Sequence, residues 1–244
     1  MIETDDPATA TALLEERGAV CLPQLHDPAR IERVATALHD YVGGELLTSG
    51  GHYYSVGDRR IMIPVPLRAP FVDEELLDPA PLRQLLSPLL GDDYIVQSYG
   101  AVLAMPGAAP QQLHRDYSLL YNPAIGVNLP PYAFTVVVPL VPITADNGST
   151  ALVLDSHRLG DGETDAPYPP LGGCYLWDYR LFHGGMRNNS KATRPILYLV
   201  YARPWFVDPE NFQTVPPLRE PDEALSPRAA RLLRRAQQRR VVCA

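Results

Sequence analysis

The chain has 244 residues, 46% of them hydrophobic and 20% charged, which is the balance of a globular protein with a sizeable core. A formal net charge of −7 argues against a nucleic-acid partner bound through phosphate neutralisation. No run approaches the roughly 18 apolar residues of a membrane span. The acidic start from Met1 to Asp6 is not a secretory signal, and Cys21, Cys174 and Cys243 are too scattered for a disulfide framework or a metal knuckle. A reduced, cytoplasmic protein is expected, a monomer or homodimer.

The first ninety residues read as helices with loops. Asp6-Pro7 and Asp27-Pro28 each offer an N-cap followed by proline at the first helical position. Gly18 and Gly43 stand where left-handed C-terminal glycines are expected. Between these signals Ile31, Val34, Ala35 and Leu38 recur at helical spacing. An irregular piece follows from Gly50 to Pro70, carrying His52, Tyr53, Tyr54, Arg59 and Arg60. A third helix, broken by proline, is predicted from about Pro79 to Leu90, stopping at Gly91.

From Asp92 the texture changes to strands. Tyr94 to Met105, Ala133 to Val141, Ala151 to Leu154, Gly173 to Trp177 and Ile196 to Ala202 are β-rich runs bounded by Pro, Gly, Asn and Asp. Helices gathered before short strands fit a mainly-β, α+β domain better than an alternating βαβ order. One domain is expected over 1–244, with a helical part over 1–91, a β core over 92–206 and a tail over 207–244. In the tail, Ser226-Pro227 opens a basic helix running toward Arg240, read as a solvated surface helix.

Among six histidines, His114 has the most informative surroundings, in Gln112-Leu113-His114-Arg115-Asp116. In an extended chain, residues i and i+2 share a face, so an imidazole and a carboxylate are presented together. His183 follows the strand ending at Trp177 and precedes Gly184-Gly185. Arg194 lies across the turn-rich Asn188-Asn189-Ser190 and opens the last strand. A turn between His183 and Arg194 predicts neighbouring antiparallel strands, with both side chains in one cavity. Two histidines and one carboxylate on one face of a metal form the triad of non-haem Fe(II) oxygenases. Such a triad leaves positions for a 2-oxo acid and dioxygen, and a nearby arginine can hold a far carboxylate in a bidentate fork.

The chain resembles the phytanoyl-CoA dioxygenase family of Fe(II)/2-oxoglutarate-dependent oxygenases. The matching stretches are Met105-Pro106-Gly107 leading to His114-Arg115-Asp116, then Thr144 to Thr150, then Asp155-Ser156-His157-Arg158, where the family usually has Pro-Gly-Ser-His. After His183 come Asn188, Ser190 and Arg194 at +5, +7 and +11, the family's own spacing. The resemblance covers about Asp92 to Phe206. It implies a double-stranded β-helix, or jelly-roll, core, with helical decoration before it and a C-terminal helix after.

It also implies Fe(II), 2-oxoglutarate and O2 as cofactor and cosubstrates, His114, Asp116 and His183 as iron ligands and Arg194 as the 2-oxoglutarate anchor. Related halogenases have a small residue in place of the acid, so Asp116 implies oxygenase chemistry. Gln97 and Thr135 are carried over as cosubstrate contacts; Tyr99, on the same strand face as Gln97, and Tyr53 and Tyr117, in the candidate lining loops Gly51 to Arg60 and Tyr117 to Pro131, are the expected substrate contacts. His157 is read as structural, and Trp177 and Trp205 as core. The expected activity is hydroxylation of a small molecule, or cyclisation, epimerisation or desaturation. An arginine bias that leaves Lys191 as the lone lysine hints at a bacterial source and so at natural-product tailoring. A non-catalytic jelly-roll binder and a zinc hydrolase are the rival readings.

Overall fold

The computed structural model describes residues 3–46, 53–117, 119–158, 160–208, 221 and 223–235. His52, Cys243 and the end of the basic tail lie outside the described residues. The two N-terminal helices form where their signals stand. α1 (Pro7–Arg17) is capped by Asp6, whose carboxylate accepts from Thr9 N, and ends at Gly18 with φ 76°. α2 (Pro28–Tyr41) is capped by Asp27 and buries Ile31, Val34, Leu38 and Tyr41. Gly43 departs from expectation: it sits inside a π-helical turn over Val42–Leu46, and it is not among the glycines of positive φ. α3 (Glu74–Leu77) and α4 (Ala80–Leu90) follow, α4 ending at Gly91 with φ 88°.

Ten strands appear among the described residues: β1 (Ala19–Leu22), β2 (Tyr54–Ser55), β3 (Arg60–Pro64), β4 (Ile95–Ala104), β5 (Ala133–Pro139), β6 (Thr150–Val153), β7 (Thr164–Asp165), β8 (Cys174–Asp178), β9 (His183–Gly185) and β10 (Arg194–Ala202). A short helix, α5 (Pro123–Gly126), lies between β4 and β5. The large sheet is antiparallel in the order β1-β8-β5-β10-β4-β3-β2, and the small one runs β7-β6-β9. The two sheets make an open jelly-roll rather than a closed barrel. β1, β2, β3, β7 and β9 were not predicted; each is five residues or shorter, too short for its pattern to emerge.

Register decides which side chains reach the interior of the sandwich. Met62, Val102 and Ile196 are lateral partners across β3, β4 and β10. Trp177, Thr135 and Val200 are partners across β8, β5 and β10. All six point inward, because partners in register share a face. Their neighbours in sequence point the other way. Tyr99, Leu199, Val136 and Leu176 join Leu82, Leu85, Leu86 and Leu89 of α4 in one buried cluster. Each such fully buried side chain contributes roughly 1.5–3 kcal/mol, so the helices form the second face of a core that the β-sheet cannot cover alone.

The tail also departs from expectation. In α6 (Pro227–Leu232) Ser226 caps the N-terminus, and Ala229 and Leu232 are buried. Arg228 pairs with the buried carboxylate of Asp78, which also accepts from Tyr94 Oη. Arg234 donates to Asp93 O over 2.6 Å. The helix is docked on the core, because apolar residues recur on one side of it among the arginines.

His26 ties the β1–α2 connection to α3: its Nδ1–H donates to Glu75 O (3.1 Å), and among the described residues its Nε2 is buried without a partner. Burial holds its pKa down at about 4, opposed by the Glu75 hydrogen bond and helped by Arg30. Since the unfolded chain binds the proton more readily, this contribution to stability is complete above the ordinary histidine pKa and is lost as pH falls toward 4. Between pH 7 and pH 5, wild type is expected to lose about 2 kcal/mol more unfolding free energy than His26→Asn. Urea titrations at the two pH values check this, and equal losses would refute it.

Candidate metal and cosubstrate site

His114 and His183 face each other as a hydrogen-bonded pair: His114 N donates to His183 O (2.9 Å) and His183 N to His114 O (2.8 Å). Each imidazole is oriented by its own chain. Nδ1 of His114 donates to Gln112 O (2.9 Å) and Nδ1 of His183 to Leu181 O (3.1 Å), which leaves Nε2 as the free lone pair of each ring. Between His114 and Asp116, Arg115 points away, bonded to Arg180 O and Ser156 O and lying over the Phe182 ring. Asp116 therefore returns to the face of His114. One carboxylate oxygen lies 3.5 Å from His183 Nε2, and the other accepts from Thr135 Oγ1 at 2.8 Å.

The three ligand atoms lie within 4.8 Å of one another. Bonds of about 2.0–2.2 Å to a divalent ion need only small side-chain rotations from there. Burial holds the His183 pKa below its ordinary value; Asp116 opposes the shift and His114 adds to it. The neutral imidazole that results is the metal-binding form.

The triad opens into a cavity of about 180 Å³ whose lining includes Arg60, Gln111, Thr135, Trp177, Tyr179, Arg194 and Tyr198. Arg194 reaches it from the other sheet, which corrects the sequence reading. β9 and β10 do not pair. The segment 186–193 crosses between the sheets, so His183 and Arg194 face each other through the sandwich. Asn188 holds that crossing by donating to Ala104 O and Ala192 O and accepting from Ser190 N and Oγ. Arg194 Nη1 donates to Gly148 O and Ser149 O.

Other expectations are also corrected. Tyr99 is on the helical face, donating to Phe71 O, because its register with Leu199 turns it out of the sandwich. Gln97 falls at a break in the β4–β10 register and is not among the lining residues. Thr135 holds Asp116 through its hydroxyl. Tyr53 is 61% exposed and outside the lining, while Tyr117 packs against Tyr132 and Phe206 beside it. His157 lies against α1, near Glu15 O. Trp177 is buried in the core, as expected, and its ring also borders the site, its centroid 4.6 Å from that of His183. Trp205 is 60% exposed and belongs to neither.

Sequence reasoning missed Arg60, Trp177, Gln111 and Tyr198. Alternation over Arg60-Ile61-Met62 was the available signal for the first. Three polar side-chain atoms of the lining are buried without a partner among the described residues: Arg60 Nε, Arg194 Nε and Trp177 Nε1. All three are N–H donors. A cavity whose unmet needs are all donors suits a ligand rich in anionic oxygen, so the lining fits a metal-chelating keto dicarboxylate.

Thr135→Val keeps the side chain's shape and removes the hydroxyl that holds Asp116. Calorimetric Co(II) affinity is expected to fall about tenfold or more, as for other groups that orient metal ligands. Unchanged affinity would rule out that role.

The sequence profile of the phytanoyl-CoA dioxygenase (PhyH) family matches residues 14–196. Dioxygenase aneA of Aspergillus aculeatus is 29% identical over 69% of this chain and 61% of its own length, so the match spans about three-fifths of that relative. In fold the chain is similar to AviO1 from Streptomyces viridochromogenes Tue57, with TM-score 0.63 and 23% identity over 83% of this chain and 97% of that one. It is similar too to HygX from Streptomyces hygroscopicus, solved with nickel, 2-oxoglutarate and hygromycin B bound, with TM-score 0.63 and 14% identity over 82% and 88% of the two chains. The profile spans most of the sequence and all three residues of the triad, and the protein belongs to the phytanoyl-CoA dioxygenase family of Fe(II)/2-oxoglutarate-dependent dioxygenases.

Proposed function

We propose that this protein uses O2 to oxidise a C–H bond of a small molecule, coupled to oxidative decarboxylation of 2-oxoglutarate to succinate and CO2, as a tailoring step in bacterial secondary metabolism. The observation that carries the reading is the triad of His114, Asp116 and His183 opening onto a cavity whose unpartnered buried atoms are all donors. Fe(II), when bound, supplies oxygen activation and an electrophilic seat for the keto acid. His114, Asp116 and His183 would hold it, and Arg194 would anchor the distal carboxylate of the cosubstrate.

The chain's own groups then have distinct tasks. Thr135 fixes the rotation of the Asp116 carboxylate. The carbonyls of Gln112 and Leu181 keep both imidazoles in the tautomer that offers Nε2. The apolar walls, Met62, Val102, Ile196 and Val200, exclude water around the keto acid and so strengthen each charged contact. The cavity, at about 180 Å³, is smaller than the roughly 300–1,000 Å³ of a drug-sized ligand site. It has room for the cosubstrate, and the substrate would sit at the mouth. There His114 is exposed, while the buried rings of Tyr179 and Tyr198 form part of the cavity wall.

HygX, solved with nickel, 2-oxoglutarate and hygromycin B bound, supports the keto acid as cosubstrate and a small molecule as substrate. Succinate formation from 2-oxoglutarate is expected with Fe(II) and not with Zn(II). Asp116→Ala should lower it about 100-fold or more, because a missing ligand removes both metal and orientation. Full turnover in Asp116→Ala, or equal turnover with zinc, would contradict the proposal.

A further inference from the structure

Arg60 is 1% exposed, as is Arg194, and among the described residues no carboxylate lies in hydrogen-bond contact with either. Nη2 of Arg60 donates to Ala109 O (3.2 Å) and Met186 O (2.9 Å), and its Nε is buried without a partner among the described residues. The guanidinium lies flat on Gly185: a Cβ at that position would stand 2.7 Å from Nη1 and 2.8 Å from Cζ. Glycine there makes the slot that the guanidinium fills.

Register brings the two arginines to one end of the cavity. Arg60 and Arg194 are both partners of Ala104, from β3 on one side and β10 on the other, so both project into the sandwich from the same row. Their anchors on the facing sheet are adjacent as well. Ser149 O accepts from Arg194 Nη1 and from Met186 N, and Met186 O accepts from Arg60. Burial, with the field of Arg194 added to it, pushes the Arg60 pKa down to about 10, so the guanidinium remains charged at neutral pH. A buried cation of this kind is stable only beside an anion, and among the described residues none touches it.

We propose that Arg60 and Arg194 form a two-guanidinium clamp on the distal carboxylate of the keto acid, making Arg60 a determinant of selectivity for dicarboxylic over monocarboxylic 2-oxo acids. This rests on the 2-oxoglutarate reading above. Arg60 supplies its Nε–H to one oxygen while its Nη2 holds the segment leading to His114 and the strand leaving His183. The clamp thereby links the far end of the cosubstrate to both backbone segments that carry the metal histidines.

The test compares 2-oxoglutarate with 2-oxovalerate, which has the same carbon chain and lacks the distal carboxylate, by calorimetry on Co(II)-loaded protein. Arg60→Gln is expected to weaken 2-oxoglutarate about 10- to 100-fold, as for loss of a charged hydrogen bond, and to leave 2-oxovalerate within about twofold. Arg60→Lys, which keeps the charge and loses the fork, should fall between Gln and wild type. Undiminished 2-oxoglutarate affinity in Arg60→Gln would overturn the clamp and reassign the arginine to another anion. Equal losses for both acids would overturn it in favour of a purely structural brace. Wild-type protein that binds metal but neither acid would overturn the oxygenase reading itself.

Discussion

The reciprocal backbone hydrogen bonds between His114 and His183 are the constraint on which the site depends. They place two imidazoles opposite each other, and local carbonyls fix both tautomers. Asp116 needs only the period-two geometry of an extended chain to join them. The pair also marks where the chain before β5 meets the small sheet. The sandwich is thus closed over its cavity at the point where the metal would bind. Everything else in the fold supports this junction from a distance. The helices cover the outer face of the large sheet, and Asn188 secures the crossing that carries Arg194 to the opposite wall.

Electrostatics inside the cavity are out of balance in the protein by itself. Two guanidinium groups are nearly fully buried, and Asp116, held at the triad, is the acid among the lining residues. Such an arrangement costs stability, since unpaired buried charge is expensive. Functional sites are where such costs are retained. The distal carboxylate of a keto dicarboxylate would stand against the two guanidinium groups, and a ferrous ion would stand beside Asp116 and the acid's other carboxylate, so each buried charge would gain a neighbour of opposite sign. The same low-dielectric walls that make the bare cavity unfavourable make the filled one tight.

How far the sequence could be read follows from the range of each signal. Helix caps at Asp6, Asp27 and Ser226 act within one turn, so local residues announced them. The long strands β4, β5 and β10 carry enough β-branched and apolar residues to be seen alone. The triad was legible because its i, i+2 half is local and its remaining half sits at a recognisable family spacing. Trp177 was not legible as a site residue, and Arg60 only through its alternation with Met62, because local alternation pairs residues on a face without saying which face meets the cavity. Tyr99 was placed wrongly for the same reason: the sense of its face is set by pairing with Leu199, one hundred residues away in sequence. Gly43 misled because a π-helical turn, which no local glycine rule anticipates, continues the helix there. The basic helix misled because arginine count drew attention away from Ala229, Leu232 and Leu233, which are buried.

The most direct test of the account is the visible absorption of anaerobic protein loaded with Fe(II), recorded before and after 2-oxoglutarate is added. A keto acid chelated to a ferrous ion in a two-histidine, one-carboxylate site is expected to give a weak charge-transfer band near about 500 nm. That band should be absent in Asp116→Ala. If wild-type protein with verified iron content shows no band, the cavity is not a keto-acid site, and the oxygenase account is contradicted at its centre.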